Sequence, residues 1–237
     1  TNFDPGGFAE FIRLPAINVD RGVFLLPDKL SYDEATFIEP LACVIRGQAR
    51  AQMKPGKSVM VVGCGVAGLL HIMLAHALGA NRIIAVDINE YRRKAAHDSG
   101  ASTVFSAGED MPARLRSVNE DRLADLVIVS TGATPAINQA LRLVERGGTV
   151  LYFAPTGPGV NIPLSINEVF WRNDVTLTTS YAGSPADYQT ALELIGTGTI
   201  NVDPLITHRL PMEQIGLGFQ LVTDAKNSIK VIIQPNS

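Results

Sequence analysis

Three closely spaced glycines are the strongest chemical signal in this sequence. They lie in the loop Gly63–Gly68, which reads GCGVAG and follows the apolar run Ser58–Val62. In such a loop the first glycine allows a tight turn, the second lets the backbone approach a pyrophosphate, and the third lets the following helix pack closely on the strand. Unpaired N–H groups at the start of that helix would face the phosphates. The pattern predicts a dinucleotide site that includes Gly63, Gly65, Val66, Ala67 and Gly68.

An acidic residue downstream strengthens this interpretation. Asp87 lies 19 positions after Gly68, at the end of the next apolar run, where a carboxylate can accept hydrogen bonds from the adenosine ribose. Because this carboxylate would repel the 2′-phosphate of NADP, its charge favours NAD. The alternative interpretation is an ordinary glycine turn with an unrelated acid downstream.

The basic residues after Asp87 leave the choice between NAD and NADP partly open. Arg92 lies five positions after Asp87 at the start of a predicted helix. Its guanidinium could stack on the adenine or contact a phosphate, so it joins the predicted cofactor site. Its neighbours Arg93 and Lys94 are interpreted as part of a solvated helix face.

Two more segments are expected to line the cofactor, because ligands of parallel sheets bind at the carboxyl ends of the strands. The first is Ser130–Ala133, at the end of the predicted strand Leu126–Ser130, in which Thr131 and Gly132 are the predicted site residues. The second is Phe153–Pro155, at the end of the predicted strand Thr149–Phe153, in which Phe153 is the predicted site residue.

The cysteines and the helical histidines do not form a further site. Cys43 and Cys64 are 21 positions apart without a CxxC pair, so by themselves they form neither a disulfide framework nor a closed zinc site. His71 and His76 are five positions apart on one predicted helix and do not share a face as a metal-binding pair would. We interpret both histidines as packed or surface side chains.

The elements that must position these residues alternate regularly from residue 55 onward. The predicted strands are Ser58–Val62, Arg82–Asp87, Thr103–Phe105, Leu126–Ser130, Thr149–Phe153 and Val175–Tyr181. The predicted helices are Val66–Leu78, Asn89–Asp98, Met111–Val118 and Pro135–Val144, with a shorter one near Ile166–Arg172. Thr134 is expected to cap the helix Pro135–Val144, and Gly147-Gly148 to end it. The fold class is therefore α/β, with a doubly wound, parallel, six-stranded Rossmann sheet.

The two ends of the chain have a different character. Residues 6–40 predict a pair of strands from another domain, because the apolar positions of Gly6–Pro15 repeat with a period near two and the proline-broken apolar stretches after them lack helical spacing. Residues 184–237 predict a helix capped by Ser184 and ending near Ile195, an extended segment at Leu205–Arg209, a second helix, and a final strand at Ile229–Ile233.

Composition excludes several functional classes. The chain has 237 residues, of which 46% are hydrophobic, and a net charge of −3, as expected of a soluble globular protein without a nucleic-acid partner. The uncharged stretch Ser58–Asn81 is long enough to span a bilayer, but its central glycines indicate a strand, a turn and a helix instead. The start of the chain lacks a basic segment followed by an apolar one, so we expect a cytoplasmic protein without a signal peptide or a membrane partner.

Together with Glu39-Pro40-Leu41, the glycine loop and the Asp87–Arg92 pair resemble the zinc-type medium-chain dehydrogenases, in the branch of the sorbitol, polyol and threonine dehydrogenases. The resemblance covers residues 6–237 and implies hydride transfer between NAD and a secondary alcohol, a polyol or a hydroxy-amino acid. It also implies that Glu39 belongs to a catalytic zinc site, as a ligand or as the partner of zinc-bound water. The alternative is that Glu39 caps a helix starting near Leu41.

The resemblance also implies a domain organisation. Residues 1–40 would be a remnant of a β-rich, GroES-like catalytic domain, residues 41–182 the NAD-binding domain, and residues 183–237 a segment returning to the catalytic domain. The family's zinc-binding cysteine, Gly-His-Glu motif and four-cysteine lobe are absent from this sequence. Because a catalytic zinc ion needs three protein ligands, zinc is expected only in a full-length protein, and this chain alone is expected to be inactive.

Two other functions remain open. The first is a non-catalytic NAD-binding module that senses redox state, and the second is a zinc-free quinone or enoyl reductase of the same superfamily. The predicted strand Val175–Tyr181 would lie at an edge of the sheet, which predicts a homodimer or a homotetramer.

Overall fold

The computed structural model describes residues 6–108 and 110–235. The α-helices are α1 Ala16–Gly22, α2 Tyr32–Ala35, α3 Ile38–Arg50, α4 Val66–Ala77, α5 Glu90–Asp98, α6 Met111–Val118, α7 Thr134–Ala140, α8 Pro185–Gly196 and α9 Ile215–Asp224. The strands are β1 Ser58–Val62, β2 Arg82–Asp87, β3 Thr103–Ser106, β4 Ala124–Val129, β5 Val144–Tyr152, β6 Thr176–Thr179, β7 Ile206–Pro211 and β8 Lys230–Gln234. A π-helical turn spans Ile166–Phe170, and 3₁₀ turns span Asp203–Leu205 and Met212–Gln214. None of the described helices combines the length and the apolar character needed to cross a bilayer.

The chain divides into two compact units. One unit is the continuous segment Pro40–Gly183, and the other combines the segment up to Glu39 with the segment from Ser184 onward.

The continuous unit is built on a parallel sheet of six strands in the order β3-β2-β1-β4-β5-β6. This confirms the predicted α/β fold with its doubly wound sheet. All five residues of the central strand β1 are buried, as expected of a strand that helices cover on both faces. Val62, the last residue of β1, pairs with Val86 of β2 and Val129 of β4. The loops that follow these three strands therefore meet at one edge of the sheet.

The predicted boundary between α7 and β5 is wrong. The helix ends at Ala140 and the strand begins at Val144, so Gly147 and Gly148 lie inside β5 and do not end a helix. Leu143 and Val144 are buried in the core of the sheet, and this burial favours the strand over further helix. A Cβ atom on Gly148 would lie 3.0 Å from the carbonyl oxygen of Asp125, so the absent side chain lets β5 approach β4.

The predicted cap of α7 also differs from the structure. Thr134 is the first residue of α7, and the capping position belongs to Ala133, whose side chain makes no capping hydrogen bond. Pro135 lies in the first helical turn, where its missing N–H costs no helical hydrogen bond.

The strand pair predicted for residues 6–40 is wrong in the part of this segment that the structure describes. It contains α1, α2 and the first residues of α3, and among its described residues only Arg13 is strand-like, as an isolated bridge residue. The alternating apolar pattern lies in residues 6–15, where Phe8, Phe11 and Leu14 remain exposed, so no buried face holds a strand there. Farther along the chain, Ser31 and Glu34 form a reciprocal capping box that fixes the start of α2. The structure confirms the helix that Ser184 caps, through a second capping box with Asp187. Strands β7 and β8 pair in parallel near the predicted positions.

Candidate functional site

A cavity of about 550 Å³ lies where the loops after β1, β2 and β4 meet. Five of the residues predicted to bind a cofactor line it, namely Gly63, Gly65, Asp87, Arg92 and Thr131. The first turns of α7 and the loop after β3 complete its wall with Pro135, Ala136, Ala107 and Gly108.

Glycine suits each of the three positions of the loop for a different geometric reason. Gly63 has a φ of +93°, in the left-handed region that favours glycine. A Cβ atom on Gly68 would lie only 1.9 Å from the carbonyl oxygen of Gly63, so α4 can pack this closely only with glycine there. At Gly65 the nearest atom to such a Cβ would be Arg92 Nη1 at 4.0 Å. The space above Gly65 is therefore open, and a bound group could approach the backbone there.

Asp87 connects the glycine loop with the start of α5. The residue is 7% exposed; the carboxylate oxygen Oδ2 accepts the N–H of Cys64 at 2.7 Å, and Oδ1 accepts the N–H of Asn89 at 2.8 Å. A carboxylate oxygen can accept more than one hydrogen bond. Asp87 can therefore hold this local structure and also accept a hydroxyl group from the cavity.

Two buried polar atoms of the cavity lining have no hydrogen-bond partner among the described residues, Arg92 Nε and Ser130 Oγ. An unpaired buried polar atom costs about 1–3 kcal/mol, so such atoms are rare in native proteins. A polar ligand in the cavity would supply partners after small side-chain rotations. Ser130 belongs to the segment Ser130–Ala133 that was expected to line the cofactor, and Ser130 and Ala133 both line the cavity.

Other predicted cofactor residues lie outside the lining of the cavity. Val66, Ala67 and Gly68 form the first turn of α4, directly after the lining residue Gly65. Gly132 is held close to the backbone, because a Cβ atom there would lie 2.5 Å from the carbonyl oxygen of Pro155. The ring of Phe153 packs edge-on against that of His71 with centroids 4.5 Å apart, so its described contacts belong to the interior.

The buried histidine and cysteine near the site are structural groups. Burial lowers the pKa of His71 to about 3, and Nδ1 of this neutral ring lies 3.3 Å from Gln48 Nε2. Burial, with the nearby charge of Asp87, raises the pKa of the Cys64 thiol to about 12. A thiol in this state is a poor nucleophile and a poor metal ligand.

Glu39 lies in the first turn of α3, which begins at Ile38 and not near Leu41 as one interpretation expected. The residue lines a cavity of about 610 Å³ with mostly apolar walls. Burial lowers the pKa of Lys230, and the charge of Glu39 partly opposes this change. Among the described residues no three His, Cys, Asp or Glu side chains come together as metal ligands. These residues therefore do not fit a catalytic zinc ion, which needs three protein ligands.

The sheet order and the glycine loop define an α/β protein of the Rossmann type. A family model described as zinc-binding dehydrogenase matches residues 66–197, more than half of the chain. The chain belongs to this family, as the resemblance in its sequence predicted.

Within this family the chain is similar to dehydrogenases of two kinds. It is 30% identical to a sorbitol dehydrogenase of Bacillus subtilis over 98% of its own length. It is 32% identical to an L-threonine 3-dehydrogenase of Bacillus licheniformis over 97% of its length. The chain spans 64% and 65% of the lengths of these two relatives.

A solved structure supports the fold directly. A protein of Sinorhizobium meliloti that is described as a zinc-binding dehydrogenase, bound to NADP, is 27% identical with a TM-score of 0.81. The similarity covers 90% of this chain and 62% of that protein.

Proposed function

We propose that the cavity beside Gly65 and Asp87 binds NAD, and that the whole protein is an NAD-dependent alcohol or polyol oxidoreductase. The observation that carries this proposal is the convergence of an open glycine backbone, a carboxylate and a guanidinium in one cavity. Bound NAD would supply the acceptor for the hydride that leaves the alcohol carbon.

Each part of a dinucleotide would find a suitable group at the cavity. The backbone at Gly65 and the first turn of α4 would receive the pyrophosphate, since helix N-termini present N–H groups to anions. Asp87 would accept the ribose hydroxyls. Arg92 would contact the adenine or a phosphate, and Thr131 with Ser130 would contact the sugar or the phosphates from the opposite wall.

The preference for NAD over NADP rests on charge. A 2′-phosphate would approach the carboxylate of Asp87, and this repulsion favours NAD. The NADP in the similar Sinorhizobium protein makes this choice the first point to test.

The substrate and the metal belong to the whole protein. The names of the relatives support a secondary alcohol, a polyol or a hydroxy-amino acid as the substrate. We keep Glu39 as a candidate member of a zinc site whose other ligands lie outside the described residues, and we assign residues 1–40 and 183–237 to a GroES-like catalytic domain. Because β6 is an edge strand of the sheet, a homodimer or a homotetramer is also expected.

The variant Asp87→Asn tests the cofactor proposal. It keeps the shape of the side chain, removes its charge and replaces one of the two oxygens that accept backbone N–H groups by an amide NH₂ group. NADH should therefore bind about tenfold more weakly, and NADPH should gain relative to NADH. Titration of the 237-residue chain, followed by the fluorescence of the reduced nicotinamide, measures both dissociation constants.

Asp98→Asn is the matched control, because Asp98 lies at the far end of α5 and pairs with Lys94 at an exposed position. It should leave both dissociation constants unchanged. A wild-type chain that binds neither nucleotide would refute the proposal, and wild-type affinity in Asp87→Asn would remove Asp87 from the site.

A further inference from the structure

Arg93 turns back toward the end of β2, although its place in the sequence suggests a solvated helix face. Its Nη1 donates to the carbonyl oxygens of Ile88 at 2.8 Å and of Asp87 at 3.2 Å. The next residue, Lys94, behaves as the sequence suggests and pairs with Asp98 at the surface. The two neighbouring basic residues therefore have different roles.

These bonds complete a set that fixes Asp87 from two sides. The carboxylate is held by the N–H groups of Cys64 and Asn89. The carbonyl group of the same residue accepts Arg93 and the N–H of Ala107 at 3.3 Å. With both its backbone and its side chain held, the carboxylate has little freedom to turn away from the cavity.

A charged donor suits this place. Its charge strengthens bonds to carbonyl groups, and the two N–H groups of the single nitrogen Nη1 reach two successive oxygens. The charge of Arg93 also extends to the glycine loop, where it lowers the pKa of the Cys64 thiol, although burial outweighs it.

We propose that Arg93 is a positioning residue that holds the chain at Asp87 and Ile88 so that the Asp87 carboxylate faces the adenosine ribose of the bound dinucleotide. The inference rests on the proposed function and assigns to Arg93 the alignment of its ribose-binding group. Arg93 acts through Asp87 and does not itself contact the ribose.

A double-mutant cycle tests the inference, since two residues that act as a unit have non-additive effects. Arg93→Met should weaken NADH binding about fivefold and narrow the preference for NADH over NADPH. In the Asp87→Asn background the same substitution should add little to the dissociation constant. Arg93→Lys, which keeps one charged donor, should restore part of the affinity and covers the case in which the methionine variant does not fold.

Arg116→Met is the matched control. Arg116 also donates from a helix to a backbone carbonyl group, that of Asp121 at 2.8 Å, but it does not line the nucleotide cavity. This variant should bind NADH as the wild type does. Unchanged NADH binding in Arg93→Met, or effects of Arg93→Met and Asp87→Asn that simply add, would overturn the role of Arg93. If the wild type did not bind NADH at all, the result would instead refute the proposed function itself.

Discussion

At the scale of single residues, His71 shows how burial decides the chemistry of a side chain. Its ring lies in the interior between Gln48 and Phe153, and burial lowers its pKa from 6.5 to about 3. The unfolded chain therefore takes up the proton first as the pH falls. The contribution of the neutral ring to stability is complete above about pH 6.5 and is lost progressively toward pH 3.

The expected size of this effect is measurable. Between pH 7 and pH 5 the free energy of unfolding should fall by about 2 kcal/mol because of this one group. Urea denaturation at several pH values measures the change. His71→Leu should flatten the dependence in this interval, whereas His97→Asn should keep it, since His97 is largely exposed. If the free energy of unfolding of His71→Leu fell with pH as steeply as that of the wild type, other groups would be responsible for the proton uptake.

Residue types and their spacing predicted part of the candidate site. Gly63, Gly65 and Asp87 were recognisable because backbone conformation and charge fix their roles whatever their neighbours do. Arg93 was not, since the sequence does not tell whether a long side chain extends into solvent or turns back to a carbonyl group. Phe153 was placed in the predicted site by its strand end, but its ring packs against His71.

At the scale of secondary-structure elements, the contact between the glycine loop and α4 is the tightest of the site. Gly68→Ala would place a methyl group 1.9 Å from the carbonyl oxygen of Gly63, so the helix or the loop must move. We expect a loss of stability of roughly 1–3 kcal/mol, with weaker NADH binding because the loop shifts. Thermal unfolding with and without NADH measures both effects.

Gly157→Ala serves as the control for this experiment. A Cβ atom at Gly157 would meet nothing within 4 Å, so the change should alter stability by less than about 0.5 kcal/mol. Equal stability losses in the two variants would show that the close contact between position 68 and the carbonyl oxygen of Gly63 does not cause the loss.

Elements with strong local signals were predicted well, whereas those decided by distant contacts were not. Strands β1 and β2 match their predicted bounds because each is a continuous apolar run that ends at a turn. The end of α7 depends on the burial of Leu143 and Val144 against other strands, and no local pattern reveals that. In residues 6–15 an alternating apolar pattern suggested a strand, but these apolar side chains stay largely exposed, and no local pattern reveals that.

At the scale of the whole molecule, metal content separates the two leading functions. Among the described residues no three candidate metal ligands come together. The proposed oxidoreductase therefore requires zinc ligands outside these residues. We therefore expect protein from its natural source to have a mass well above 25.4 kDa and to contain zinc, as intact mass spectrometry and metal analysis would show. A mass of 25.4 kDa without zinc would favour the non-catalytic NAD-binding module and would end the catalytic interpretation of Glu39.

The division of the chain into a continuous and a discontinuous unit has a consequence for its synthesis on the ribosome. The residues of Pro40–Gly183 emerge in one stretch, so their sheet can form early. The segment before Pro40 packs with residues that are synthesised much later. Its Asp33, for example, forms an ion pair with Arg209, which lies 176 residues further along the chain. At a translation rate of about 5–20 residues per second the wait for Arg209 is on the order of ten seconds. Throughout it the ring of Phe37, which is buried in the finished protein with Lys230 over its face, is open to chaperones and to other nascent chains.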